Sequence, residues 1–143
     1  MIKKEEMMKI TYREEFTQSI RKLFKTETET YRRKGKAEEL INDYFGELFD
    51  DLYDESEAVS ESFNLELDNI TLYGIELGFT FVTGAIEVYT VTGGSEVKNI
   101  LDRLEDDGSA FISNRLNEEL SDELLDKYFE LAFAEILRTK LNS

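Results

Sequence analysis

The chain has 143 residues, 41% of them hydrophobic, with ten Phe and seven Tyr. That length is one ordinary domain with enough apolar side chains for a real core, which argues against global disorder. Of its ionisable residues, 32 are acidic and 17 basic, giving a net charge of −15, and there is no His, Cys or Pro. These absences exclude disulfides, Ser-His-Asp and Cys-His nucleophile systems, His/Cys zinc sites and Glu-x-x-His di-iron bundles, leaving carboxylate, Lys and Tyr for acid–base work. The opening "MIKKEEMMKI" has acids where a secretory signal needs an apolar core, and no charge-free apolar run is long enough to span a membrane, so a cytosolic protein is expected.

The charge is divided along the chain. Residues 1–36 hold 11 basic and six acidic residues, whereas 37–143 hold six basic and 26 acidic. From Ala37 to Val97 there are 15 acids and no Lys or Arg. Solvated helices ordinarily mix signs, so such a body should repel nucleic acid and anionic membrane and attract a basic surface.

In chain order, Met8, Tyr12, Phe16, Ile20 and Leu23 form one helical stripe over Lys4–Lys25. Thr26, Thr28 and Thr30 are poor helix-interior residues, and Gly35 reads as a break. A second helix is predicted over Lys36–Tyr53, where Leu40/Ile41, Tyr44/Phe45, Leu48/Phe49 and Leu52/Tyr53 recur every four residues and give a broad buried face. "DESEAVSES" then reads as a loop or frayed extension. Further on, Ser95 is a candidate N-cap for a helix carrying Val97, Ile100, Leu101 and Leu104, which Gly108 would stop. Ser109 would cap a short helix with Phe111, Ile112 and Leu116. Ser121, with Asp122 and Glu123 in the first turn and Arg138 and Lys140 near the end, frames a last helix carrying Leu124, Leu125, Tyr128, Phe129, Ala132, Phe133, Ile136, Leu137 and Leu141.

The apolar stretch "LYGIELGFTFVTGAIEVY", Leu72–Tyr89, admits two readings. As strands, Leu77, Phe79 and Phe81 face Ile86 and Val88 across a Thr83–Gly84 turn, and an Asp68–Asn69 turn adds a third strand. As a helix, Leu72, Ile75, Phe79, Val82, Ile86 and Tyr89 share a face on which Gly74 and Gly78 admit a close neighbour, at about 1 kcal/mol per glycine relative to Ala. Local propensity prefers the hairpin. Yet "LYGIELGF" and "AIEVYTVTGGSEV", within Leu72–Val97, resemble part of certain short uncharacterised helical proteins of Gram-positive bacteria and their mobile elements, through Tyr73, Gly74, Gly78, Glu87 and Val88. Two extra residues between Gly78 and Glu87 depart from that pattern. The resemblance implies a helical fold and no assigned activity, and it tips the reading to helix.

Several clusters could carry chemistry. Asp50/Asp54 and Asp51/Glu55, four apart on a helix, could hold Mg²⁺ or Ca²⁺, but EF-hand spacing is absent there and at "LEDDGSAF", so a solvated face is the plainer reading. "TGGSEV" could present a helix N-terminus to phosphate, but no P-loop Lys follows. "YRRKGK" is basic with one aromatic, which fits a turn pairing with the acidic body better than a nucleic-acid site. Glu76 and Glu87 could be an acid–base pair if buried together, against the commoner exposed placement.

The expectation is therefore an all-α, single-domain bundle of about five helices with a basic N-terminal segment 1–36; the alternative is α+β with a small antiparallel meander at residues 62–92. Phe45, Leu48, Leu52, Phe79, Val82, Ile86, Phe129, Phe133 and Ile136 are expected to form the core. The expected function is a non-enzymatic interaction module, without cofactor or metal, that binds a basic protein surface through Glu47, Asp50, Asp51, Asp54, Glu55 and Glu57, with no direct contact to nucleic acid or membrane. In its sharp form it is a nucleic-acid-mimicking inhibitor encoded by a mobile element, of anti-restriction or anti-CRISPR type, acting on a nucleic-acid-binding protein. The alternative is a structural or adaptor helical protein that self-associates as a homo-oligomer through apolar helix faces.

Overall fold

The computed structural model describes residues 11–94 and 97–142. The chain divides into two compact units, one ending at Lys34 and the other starting at Gly35. Among the described residues, four helices and six strands follow in the order α1 (Tyr12–Leu23), α2 (Lys25–Asp51), α3 (Tyr53–Ala58), β1 (Phe63–Leu65), β2 (Asn69–Leu72), β3 (Ile75–Val82), β4 (Ala85–Thr92), β5 (Asn99–Asp106), β6 (Phe111–Ser113) and α4 (Asp122–Leu141). The fold is α+β, which corrects the all-α bundle and the helical implication of the resemblance. The meander of the alternative reading is present and longer than expected, running to Ser113.

In the first unit, Thr11 caps α1 by accepting from the Glu14 amide at 3.2 Å, and Glu14, Glu15, Arg21 and Lys22 complement the helix dipole at its two ends. The break falls at Phe24 rather than at Gly35. Helix α2 passes through Thr26, Thr28 and Thr30, and the Thr30 hydroxyl donates to the Thr26 carbonyl at 3.0 Å, so it stays satisfied inside the helix. Gly35 costs about 1 kcal/mol relative to Ala, an amount that burial of Ala37, Ile41 and Phe45 just downstream offsets.

In the second unit, the strands form one antiparallel sheet in sequential order β1 to β6. Two tight turns set its registers. Tyr73 (φ 49°) and Gly74 (φ 81°) join β2 to β3, and Thr83–Gly84, with Gly84 at φ 73°, joins β3 to β4. Phe79 then pairs with Val88 and Phe81 with Ile86, as the hairpin reading required. Gly78 is not a helix-packing residue. It lies beneath the Tyr89 ring, where an added Cβ would come within 2.3 Å of the Tyr89 hydroxyl oxygen. Both edge strands are only three residues long, which limits the unpaired backbone they expose.

The segment Asn99–Asp106 is strand β5, not a helix, and its helical spacing has a specific origin. Val88 pairs with Asp102 while Tyr89 pairs with Ile100, so Leu101 is the extra residue of a β-bulge. The bulge interrupts alternation and leaves Ile100, Leu101 and Leu104 at spacings that imitate a helix. Gly108, with φ 98°, lies in the β5–β6 turn. There the Asp107 carboxylate accepts from the Ser109 and Ala110 amides, at 2.8 and 2.9 Å, which holds it below the usual carboxylate range. Phe111 and Ile112 belong to β6 rather than to a short helix capped by Ser109. The Ser95 cap lies outside the described residues.

Helices α2 and α4 cover one face of the sheet. Phe45 of α2 meets Phe79 of β3 at 5.9 Å between ring centroids and Phe129 of α4 at 5.7 Å; Phe79 also meets Tyr128 at 6.1 Å. Ile41, Leu77, Ile86, Val88, Leu104, Leu124 and Leu125 complete the centre. Of the expected core, Phe45, Phe79, Ile86 and Phe133 are buried, and Leu48, Phe129 and Ile136 pack at its margin. Leu52 and Val82 are half-buried outside it, Val82 because its register places it on the sheet's opposite face. The last helix follows its sequence signals closely: Ser121 accepts from the Leu124 amide at 3.1 Å, with Asp122 and Glu123 in the first turn and Arg138 and Lys140 in the last.

Candidate functional site

A groove runs along α2 where the β1–β2 turn comes up against it. Its floor is Phe45 and Leu65, both buried. Its walls hold Asp43, Glu47 and Asp50 from α2 and Glu66 from the turn, around a volume of about 550 Å³. A second hollow of about 540 Å³ continues it toward the start of the helix, sharing Asn42, Glu66 and Leu67 and adding Glu38 and Asp68. The local sequence explains the placement. Adjacent apolar pairs every four residues turn Ile41 and Phe45 to the sheet, which leaves Asn42, Asp43, Glu47 and Asp50 along the flank. The turn is closed by the Glu66 amide donating to the Asn69 carbonyl at 2.9 Å, and Asn69 Nδ2 donates to the Glu66 carboxylate at 3.2 Å.

Among the described residues, no Lys or Arg lines either hollow. Asp43, Glu47 and Asp50 make no ion pair among the described residues. Two large apolar side chains stand among these acids in solvent: Leu67 is 70% exposed and Phe49 40%. The combination of carboxylates, exposed apolar groups and a buried aromatic floor suits a cationic ligand that also carries apolar groups.

Of the six residues expected to bind a partner, the structure brings Glu47 and Asp50 to the groove and leaves Asp51, Asp54, Glu55 and Glu57 outside its lining. All six are exposed. Asp51 ends α2, and the other three lie on α3, beyond the break at Leu52. Sequence reasoning missed Glu66, Leu67 and Asp68 as site residues. Their signal was the Asp68–Asn69 turn, which matters only once the segment is read as strands. Among the described residues, no group of three or more acids is arranged to hold a metal ion.

A second polar cluster has the opposite character. Asp102 of β5 is 5% exposed and points into the core. Its Oδ1 accepts from the amides of Arg103 (2.7 Å) and Arg115 (3.0 Å), and its Oδ2 accepts from the Tyr128 hydroxyl (2.5 Å) and the Ser113 hydroxyl. Burial, then the hydrogen bond to Asp102, raises the Tyr128 phenol well above its ordinary range. Four donors on one buried carboxylate leave it no free valence for a substrate, so this cluster is a clasp joining β5, β6 and α4.

On the sheet's other face, Glu76 and Glu87 do not form a pair. Glu76 accepts from the Tyr89 hydroxyl at 3.1 Å, and Glu87 pairs with Arg103 at 3.2 Å. Burial, followed by the charge of Glu76, pushes the Tyr89 phenol up to about 12.

No helix among the described residues is long and apolar enough to cross a membrane. No family model matches the chain, and no curated protein or solved structure does.

Proposed function

We propose that this chain is a non-enzymatic, cytosolic interaction module whose groove along α2 takes a basic, partly apolar segment of a partner protein. The observation that carries this reading is the groove itself: among the described residues, six carboxylates and no cation line a trough that also exposes Phe49 and Leu67 above the Phe45–Leu65 floor. A surface that served solubility alone would not need those apolar groups among its acids. The narrower form, in which the acids stand in for phosphates and occupy a nucleic-acid-binding protein, rests on the same residues and on the 61-residue stretch without a cation.

The test is fluorescence anisotropy with an amphipathic Lys/Leu helical peptide as the probe. Binding to the full chain is expected, weakening steeply with salt because screening shortens to about 8 Å at physiological ionic strength. Reversing Glu47, Asp50 and Glu66 to Lys is expected to abolish it, while the same reversal at Asp54, Glu55 and Glu57 has a smaller effect. Binding that ignores salt and the groove reversal sinks this proposal.

A further inference from the structure

Gly46 lies in the interior of α2, where glycine is the least favourable residue after proline. Among the described residues, nothing in the fold requires it. Its backbone is not in the positive-φ region, and a Cβ built there meets no heavy atom within 4 Å. Gly78, by contrast, has the Tyr89 ring in that space. An alanine at Gly46 would start in open space and strengthen the helix. What the missing side chain does instead is leave a notch in the groove, in the hollow that Phe49, Leu65 and Leu67 also line. All of these residues belong to the unit that starts at Gly35. Gly35 is the natural control: it too lies in α2 with no atom near an added Cβ, yet it lines neither hollow of the groove. The charges are placed around the notch. Residues three and four apart are neighbours on a helix surface, and Asp43 precedes Gly46 by three while Asp50 follows it by four. A carboxylate therefore stands one turn to either side of Gly46, the two about 10 Å apart at about 1.5 Å of rise per residue.

We infer that Gly46 sets the specificity of the groove: the partner is a basic helix that seats one Leu-sized apolar side chain over Gly46 and carries a Lys or Arg one turn before and one turn after it, against Asp43 and Asp50. This rests on the groove being a site for a basic, partly apolar segment, as proposed above. A helix laid along α2 has the same rise per residue, so cations three or four positions from the anchor match the two carboxylates. The anchor supplies apolar burial, and the charges supply orientation and speed of encounter. A side chain at Gly46 fills the notch and leaves both carboxylates in place, so the two contributions can be separated.

The experiment is fluorescence anisotropy of the full chain with two helical Ala/Lys peptides. One has a single Leu at its centre and Lys one turn to either side, and its twin has Ala at the centre. The wild type is expected to bind the Leu peptide about tenfold or more tighter than the twin. Gly46→Leu fills the notch and is expected to remove that preference, with unchanged circular dichroism. Gly46→Ala is expected to raise the urea midpoint and yet weaken the Leu peptide several-fold, with the salt dependence of the wild type, because no charge has changed. Gly35→Ala is expected to raise the midpoint as well and leave both affinities as they are. Equal binding of the two peptides by the wild type overturns the inference, as does a Gly46→Leu variant that keeps the preference. If the wild type in either case still binds the Lys/Leu peptide in a salt-dependent way, only the anchor at Gly46 has failed. If it binds none of the three peptides, the groove reading has failed with it.

Discussion

The acid-walled groove and the Asp102 clasp use the same functional group in opposite ways. In the clasp, one carboxylate is taken out of water and held by two amides and two hydroxyls, so each donor and the acceptor depend on the others. In the groove, Asp43, Glu47 and Asp50 keep their hydration and make no ion pair among the described residues. Glu76 is intermediate: partly buried, with a single hydroxyl donor from Tyr89. The lesson is that burial and donor number, not residue type, decide whether an acid belongs to the fold or is available to a partner.

That gradient can be broken at four points, taken from the largest expected effect to the smallest. Asp102→Ala strands the buried Ser113 and Tyr128 hydroxyls and removes the acceptor of two partly buried amides. A loss of about 3–5 kcal/mol in urea unfolding is expected; a loss below about 1 kcal/mol would place Asp102 with the exposed acids. Tyr128→Phe removes one donor and keeps the ring against Phe79, so about 1.5–3 kcal/mol is expected by the same measurement. Equal losses for the two variants would mean that the clasp depends on the tyrosine alone.

Tyr89→Phe should cost about 1 kcal/mol near neutral pH, since its one hydroxyl bond to Glu76 is partly open to water. It also has a pH signature. The folded phenol titrates near 12 against an ordinary 10, so its contribution is complete below pH 10 and is lost as pH rises toward 12. Unfolding midpoints of the wild type should therefore fall more steeply over that window than those of Tyr89→Phe. Parallel curves would remove Tyr89 from the gradient. Last, Glu47→Lys with Asp50→Lys should change stability by about 0.5 kcal/mol or less while strongly weakening binding of the Lys/Leu peptide. A large loss of stability would show that these acids support the fold after all.

Part of this arrangement is legible in the sequence. Helix α4 is marked by its Ser121 cap, its acidic start and its basic end, and the buried face of α2 by its apolar pairs, because a helix closes its own hydrogen bonds within four residues and writes its signals locally. The division of charge is likewise a property of composition; of the six acids it singled out, Glu47, Asp50, Asp51, Asp54, Glu55 and Glu57, two line the groove. The sheet was not legible in the same way. The Leu72–Tyr89 stretch has apolar residues on both faces of its strands, with Phe79 and Ile86 facing the helices and Val82 and Tyr89 on the other side. Two-residue turns separate those strands, so the spacing imitates a helix. The Leu101 bulge produced the same imitation in β5.

What tertiary structure alone decided is which acids come together. Glu66 lines one hollow with Asp43, Glu47 and Asp50 and the next with Asp68 and Glu38, because the β1–β2 turn folds up against α2, some twenty residues away in the chain. Asp102 reads as one more charge in "NILDRLEDD" until strand pairing and α4 add donors from positions 113, 115 and 128 to the amide of its neighbour Arg103. A strand borrows its hydrogen bonds, and a buried carboxylate its donors, from distant parts of the chain, so local spacing records neither.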